Sequence, residues 1–281
     1  MLIKRLLTAA FLVPLVVVAT LKLDSSKFLL VMMPVLAISS WEYSSLIKIK
    51  RWLAKALYVS VLLITAYYLN QAPFLLMPLL FVTLLWWIIN TYLIISFPRH
   101  ARFWNSWWRS TTYMPRDIAG YTTQLVNGFF FFVPFVVALS ALHQIDSTLV
   151  LLLLALIWAA DSGAYLVGRA IGKTKLLPSV SPGKTIEGAV GGVLLSLGVM
   201  LIYVYFSFEN AAFEQYFFYG VLSLATTFAS ILGDLFESLH KRVAGVKDSG
   251  ILLPGHGGLF DRIDSLTASA PIFFLAYSFL T

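Results

Sequence analysis

Nine apolar runs, most of them long enough to cross a bilayer as a helix, punctuate this 281-residue chain. They lie near residues 6–21, 28–46, 53–69, 73–96, 120–142, 147–168, 186–207, 212–238 and 265–280. A crossing takes about 20 apolar residues, within a range of roughly 17–25, and the first and last runs are short of that range. Composition agrees with a membrane protein. Hydrophobic residues make up 59% and charged residues 12%, with a mean hydropathy of +0.85. Soluble domains are roughly 45–50% apolar and about 25% charged. The expected fold class is therefore all-α, a polytopic membrane helical bundle of about nine transmembrane helices.

Charge placement tests that count independently, because Lys and Arg favour cytoplasmic loops. With the N-terminus inside, 18 of the 20 basic residues fall on one side. They are Lys4 and Arg5; Lys48, Lys50, Arg51 and Lys55; Arg99, Arg102, Arg109 and Arg116; Arg169, Lys173, Lys175 and Lys184; and Lys241, Arg242, Lys247 and Arg262. Only Lys22 and Lys27 fall outside. The topology reads N-in, C-out. The basic start followed by an apolar run resembles a signal peptide but has no small-x-small cleavage site, so it reads as a retained first helix. The chain has no cysteine, which excludes disulfides and thiolate chemistry. Its net charge of +7 is dispersed among the spans, which suits lipid headgroups or phosphates and not nucleic acid.

Two regions are expected. Residues 1–142 form N-terminal transmembrane helices with an interfacial loop, Arg99–Arg116, whose arginines and Trp104, Trp107 and Trp108 suit headgroup depth. Residues 143–281 form a C-terminal transmembrane catalytic region.

Ionisable groups inside spans are costly and mark function. Glu42, Asp161, Glu187, Asp234 and Glu237 are the candidates, and Glu42 has a structural alternative in a local ion pair. Ser181-Pro182-Gly183-Lys184-Thr185 reads as a helix start with Ser181 as N-cap, where free N–H groups and Lys184 suit a phosphate. A P-loop is excluded, because the glycine it needs five positions before Gly183 is Pro178. Small residues at Gly163, Ala164, Gly168 and Gly172 read as a helix-packing face.

The stretch Ser238–Asp264 carries seven charges and five glycines between apolar runs. Such a segment is expected to be a loop or a site and not core. Asp234, Glu237, Ser238 and Lys241 share one helical face at i, i+3, i+4 and i+7. The Pro254–Gly258 turn brings Asp261 back toward Asp234. Carboxylates with phosphate oxygens are the usual Mg²⁺ ligands, so these charges point to metal-assisted phosphoryl or nucleotidyl transfer at the membrane face.

Ser238, Lys241, Arg242, Lys247, Asp248, His256, Gly257, Gly258, Asp261, Arg262 and Asp264 match in order and spacing the pattern of the phosphatidate cytidylyltransferases, and the chain resembles that family. His240 departs from it, standing where the family has an apolar residue. Asp161–Gly192 resembles a second family region. The resemblance implies CTP and phosphatidate as substrates, CDP-diacylglycerol and pyrophosphate as products, and a homodimer among membrane lipids. It further implies a bacterial inner-membrane location with a cytoplasmic site. It implies Mg²⁺ on Asp234 and Asp261, and leaves a second, monovalent cation open. Asp234, Asp261, Lys241 and Arg242 take catalytic positions. Ser181, Lys184, Thr185, Lys247, His256, Gly257, Gly258 and Arg262 take substrate, with His256 alternatively bracing its turn. Glu237, Ser238, Asp248, Asp264, Asp161 and Glu187 support them, Asp248 and Asp264 by orienting Lys and Arg. The competing readings are another lipid-headgroup transferase, for which the D-x-x-D-G-x-x-A-R pattern is missing, and an ion-coupled transporter.

Overall fold

The computed structural model describes residues 2–96, 118–253, 255 and 257–280. Arg99–Arg116 and His256 lie outside the described residues, so the interfacial-loop and His256 readings are not addressed by it. Nine helices occur among the described residues: α1 (Leu2–Lys22), α2 (Ser25–Leu46), α3 (Trp52–Asn70), α4 (Leu76–Ser96), α5 (Ile118–Ile145), α6 (Ser147–Ile171), α7 (Ile186–Ser207), α8 (Phe213–Ala244) and α9 (Phe260–Leu280). Seven of them, α2 to α8, are long and apolar enough to span a membrane. α1 offers a shorter apolar stretch, Ala10–Lys22, and α9 opens with the charges of Asp261, Arg262 and Asp264. The protein is an all-α polytopic membrane protein.

One short hairpin interrupts the helical pattern. β1 (Lys175–Leu177) pairs antiparallel with β2 (Ser181–Thr185), with Lys175 opposite Thr185 and Leu177 opposite Ser181. This corrects the expected helix start at Ser181. α7 begins at Ile186, and its N-cap is Thr185, whose Oγ1 accepts the N–H of Gly188 at 3.1 Å. Pro182 is tolerated in β2 because both strands of a two-stranded sheet are edges. Glu187 fixes the junction by accepting the N–H groups of Lys173 (3.2 Å) and Thr174 (3.1 Å).

α6 and α7 pack along the small face read from the sequence. A side chain at Gly163 would collide with the carbonyl of Gly191, and one at Gly192 would come 2.6 Å from the carbonyl of Ala160. Backbones this close leave room only for glycine. Across the bundle, aromatic rings lock the later helices to the earlier ones near the Glu237 and Asp261 ends of α8 and α9. Phe236 of α8 sits 5.5 Å from Trp87 of α4 and 5.2 Å from Phe131 of α5. Phe131 in turn sits 5.1 Å from Phe260 of α9. Each such pair adds about 0.5–1.5 kcal/mol beyond its buried area. Phe236 and Phe260 immediately precede Glu237 and Asp261, so this aromatic core fixes where those acids stand.

Candidate active site

Three segments converge at one end of the bundle: β2, the last turns of α8 and the first turn of α9. α8 runs past the expected end at residue 238 to Ala244, where Gly245 closes it in the left-handed conformation, φ 75°. α9 begins at Phe260, before the expected 265, so Asp261 and Asp264 already stand on a helix. The connecting stretch is thus shorter than the sequence suggested. It is also partly core, since Ser238, Ser249 and Asp261 are buried. Ser249 and Asp261 can be buried because their polar atoms pair with each other, with Lys241 and Gly258, and with Glu42 of α2.

The helical face on α8 forms as expected. Ser238 Oγ donates to Asp234 Oδ1 at 3.1 Å, and Lys241 pairs with Glu237 one turn away. Lys184 of β2 pairs with Asp234 of α8, tying the hairpin to that helix, and the two side chains are each 28% exposed. Lys241 Nζ also donates to Asp261 Oδ1 at 2.8 Å. Gly233 lets α9 come close, because its Cα faces the carbonyl of Asp264 with no space for a side chain. Carboxylate oxygens of Asp234, Glu237 and Asp264 consequently lie within 4.8 Å of one another. The sequence reading had Asp264 orienting a cation; here it stands among the acids.

Asp261 is held differently. Its Oδ2 accepts the N–H of Ser249 (2.9 Å), the hydroxyl of Ser249 (3.0 Å) and the N–H of Gly258 (2.8 Å). With Lys241 on Oδ1, the carboxylate has four donors. The Gly258 N–H expected to meet phosphate is thus engaged within the protein. Gly257 takes φ 85°, and a Cβ there would come 2.7 Å from Asp261 Oδ2, so both its conformation and its space require glycine.

Sequence reasoning missed Glu42 as part of this assembly. Its carboxylate, on α2, accepts the N–H of Leu259 at 3.2 Å and of Phe260 at 2.8 Å. It therefore caps the first turn of α9 from more than 200 positions away. The Ser249 hydroxyl, 3.0 Å from Asp261, is also 3.3 Å from Glu42 Oε2, so one serine bridges the two acids. The only sequence signal was an ionisable residue inside an apolar run.

The remaining expected residues divide by place. Asp161 and Lys184 both line a cleft of about 370 Å³ between α6, α7, α8 and the hairpin, with Tyr165, Arg169 and Ser230. Arg242 Nε donates to the carbonyl of Val180 at 3.1 Å, docking the hairpin on α8. Thr185 is buried as a helix cap, and Ser181 is half-buried on β2. Lys247, Asp248 and Arg262 are exposed around the site.

A basic, acid-centred site between membrane helices fits transfer chemistry on an oligophosphate, and comparison with known proteins bears on which kind. The model of the Cytidylyltransferase family matches residues 3–280. The chain belongs to that family. It is 35% identical over 300 residues to the phosphatidate cytidylyltransferase of Haemophilus influenzae, covering 100% of both chains. It is 36% identical over 279 residues to that of Pseudomonas aeruginosa, covering 97% of this chain and 96% of the relative. With the phosphatidate cytidylyltransferase of Staphylococcus aureus it shares 48% identity over 117 residues, 42% of this chain and 44% of the relative. The resemblance read from the Ser238–Asp264 pattern is borne out, and this cytidylyltransferase-family member has bacterial relatives across its whole length.

Proposed function

We propose that the chain transfers a cytidylyl group from CTP to phosphatidate, giving CDP-diacylglycerol and pyrophosphate for phospholipid synthesis. The observation that carries this reading is full-length similarity to two phosphatidate cytidylyltransferases. The convergence of Lys184, Asp234, Lys241 and Asp261 from three segments supports it.

The phosphate monoester of phosphatidate has its second pKa near about 6 and is largely dianionic at neutral pH. It attacks the α-phosphorus of CTP directly, the bond to the β,γ-phosphates breaks, and pyrophosphate leaves with the electron pair. No general base is needed. The protein's task is to position two polyanions and to balance their charge. Lys184, at the mouth of the cleft, is placed to receive phosphate oxygens. Lys241, between Glu237 and Asp261, carries positive charge to the same end. Arg242 holds the hairpin that presents Lys184. Arg262 and Lys247, both exposed, complete the basic rim.

The donor set fits a divalent cation. Asp234, Glu237 and Asp264 bring carboxylate oxygens within 4.8 Å of one another, with Lys184 paired to Asp234 and Lys241 to Glu237 and Asp261. Mg²⁺ takes carboxylate oxygens together with substrate phosphates. Asp234 with Glu237 and Asp264 offers the converging oxygens, and Asp261 adjoins them through Lys241. When bound there, the ion would offset charge on the triphosphate and the departing pyrophosphate. The same reading puts the reaction on the cytoplasmic face of the bacterial inner membrane, on the side where 18 of the 20 basic residues fall, in a homodimer.

Purified protein incubated with labelled CTP, phosphatidate and Mg²⁺ should release pyrophosphate and form labelled lipid. Chelation should stop both, and readdition of Mg²⁺ should restore them. Lipid labelling without phosphatidate, or turnover indifferent to chelator, would refute the reading.

A further inference from the structure

Glu42 and Ser249 border a second cavity, a groove of about 530 Å³ that shares no lining residue with the α6–α8 cleft. Ile38 and Trp41 of α2 form one wall and Val59 of α3 another. Ile251 and Leu252 of the α8–α9 connection close it. Its walls are apolar, yet they are open. Ile251 is 97% exposed and Leu252 52%. Ile251 and Leu252 expose this apolar surface in a connection and not on a span, and beside membrane spans the apolar occupant within reach is an acyl chain.

Charge at the mouth specifies the rest of that occupant. Between Trp41 and Val59 the sequence holds Lys48, Lys50, Arg51 and Lys55 and a single acid, Glu42. Glu42 is engaged by Ser249 and by the N–H groups of Leu259 and Phe260. Lys55 Nζ donates to Ser45 Oγ, a groove residue, at 2.6 Å and lies 5.4 Å from the Trp41 ring. An ammonium group held against an indole at the edge of an apolar groove matches a lipid phosphate above an acyl chain. We propose that this groove binds one bulk anionic phospholipid, separate from the substrate lipid, with an acyl chain along Trp41, Val59 and Leu252 and its phosphate at Lys55.

Occupancy has a route to the active site. The groove wall includes Ser249, whose hydroxyl bridges Glu42 and Asp261 and whose N–H holds Asp261. A lipid seated on Ile251 and Leu252 favours the arrangement of the connection in which these bonds form. A ligand that binds one arrangement better shifts the population toward it. Turnover therefore rises with the anionic lipid content of the surrounding bilayer.

The test uses the full-length purified protein, and its binding arm stands whatever reaction the α6–α8 cleft carries. Native mass spectrometry should show one retained phosphatidylglycerol per chain, favoured over phosphatidylcholine of the same acyl chains. Lys55→Ala should lower that preference roughly fivefold, the worth of one lysine near an anionic surface. Ile38→Trp, which fills the groove from an exposed position, should remove the bound lipid. Ile251→Ser, at a fully exposed site that folding does not need, should weaken it. In mixed micelles at fixed phosphatidate, wild-type turnover should climb with the phosphatidylglycerol fraction while Ile38→Trp stays flat with unchanged KM for phosphatidate. Retention of the lipid by Ile38→Trp and Lys55→Ala would overturn the proposal. So would a raised KM for phosphatidate in Ile38→Trp, which would make the groove the substrate's own.

Discussion

Asp234 and Asp261 looked equivalent in sequence, as two acids expected to share a metal, but the fold treats them differently. Asp234 is partly exposed, with one serine and one lysine as its partners, and the lysine, Lys184, lines the α6–α8 cleft. Asp261 is buried and accepts four hydrogen bonds, two of them from backbone N–H groups of the connection it anchors. The first carboxylate can exchange partners at little cost to the structure. The second organises the loop, the start of α9 and the position of Lys241 at once. Residues of one chemistry can thus serve one reaction through separate means, charge at Asp234 and architecture together with charge at Asp261.

This contrast predicts that stability and activity separate between the two sites. Asp261→Asn should abolish turnover and also lower stability by about 1–3 kcal/mol, because a buried amide cannot satisfy all four donors. The measurement is pyrophosphate release alongside the thermal unfolding midpoint. Asp234→Asn should cut turnover by at least about 100-fold, near 3 kcal/mol in the barrier, with an unfolding midpoint close to wild type. The Ser238 bond survives on the amide oxygen, and the site is open to water. Equal destabilisation by the two substitutions would remove the distinction, and wild-type turnover in Asp234→Asn would remove the acid from the site.

The sequence made one of these positions easier to read than the other. Asp234, Glu237, Ser238 and Lys241 follow helical spacing, so their common face was evident from four letters and a period. The nine runs were legible for the same reason, since hydrocarbon leaves the backbone few alternatives to a helix. What escaped was non-local. Glu42 meets Phe260 from 218 positions away in the chain, and no periodicity encodes that contact. Asp264 joins the acids only because Gly233 lets α9 approach α8. The β1–β2 hairpin was hidden because Ser181-Pro182-Gly183 carries the signals of a helix start, and the pairing that overrides them comes from Lys175–Leu177.

Glu42 extends the comparison to a position outside the reacting centre. Glu42→Ala would leave the first N–H groups of α9 and the Ser249 hydroxyl short of an acceptor. A stability loss of about 1–3 kcal/mol is expected, with turnover down roughly tenfold, about 1.4 kcal/mol in the barrier. Glu42→Gln, which keeps one carbonyl oxygen, should recover much of both. Hydrogen exchange of the Leu259 and Phe260 amides should speed up in the alanine variant. Unchanged exchange there would detach Glu42 from the architecture of the Asp261 side.

The smallest effect should come on the Asp234 side, where the hairpin rather than the loop presents the cation. Arg242 acts through a single Nε bond of 3.1 Å to the Val180 carbonyl, and its side chain is exposed. Arg242→Lys keeps the charge but has no donor at that point of the chain, so it separates docking from electrostatics. One hydrogen bond of this kind contributes about 0.5–1.5 kcal/mol, and losing it lets Lys184 sample positions away from Asp234. KM for CTP should rise by roughly two- to tenfold, following the same free energy, with kcat nearly unchanged and the unfolding midpoint lowered by only about 1–4 °C. Arg242→Ala removes charge as well and should also depress kcat. If Lys and Ala variants behave alike, Arg242 works only as a strut. If Arg242→Lys is wild type in KM, its charge is what matters, and Arg242 belongs with the groups that face the phosphates.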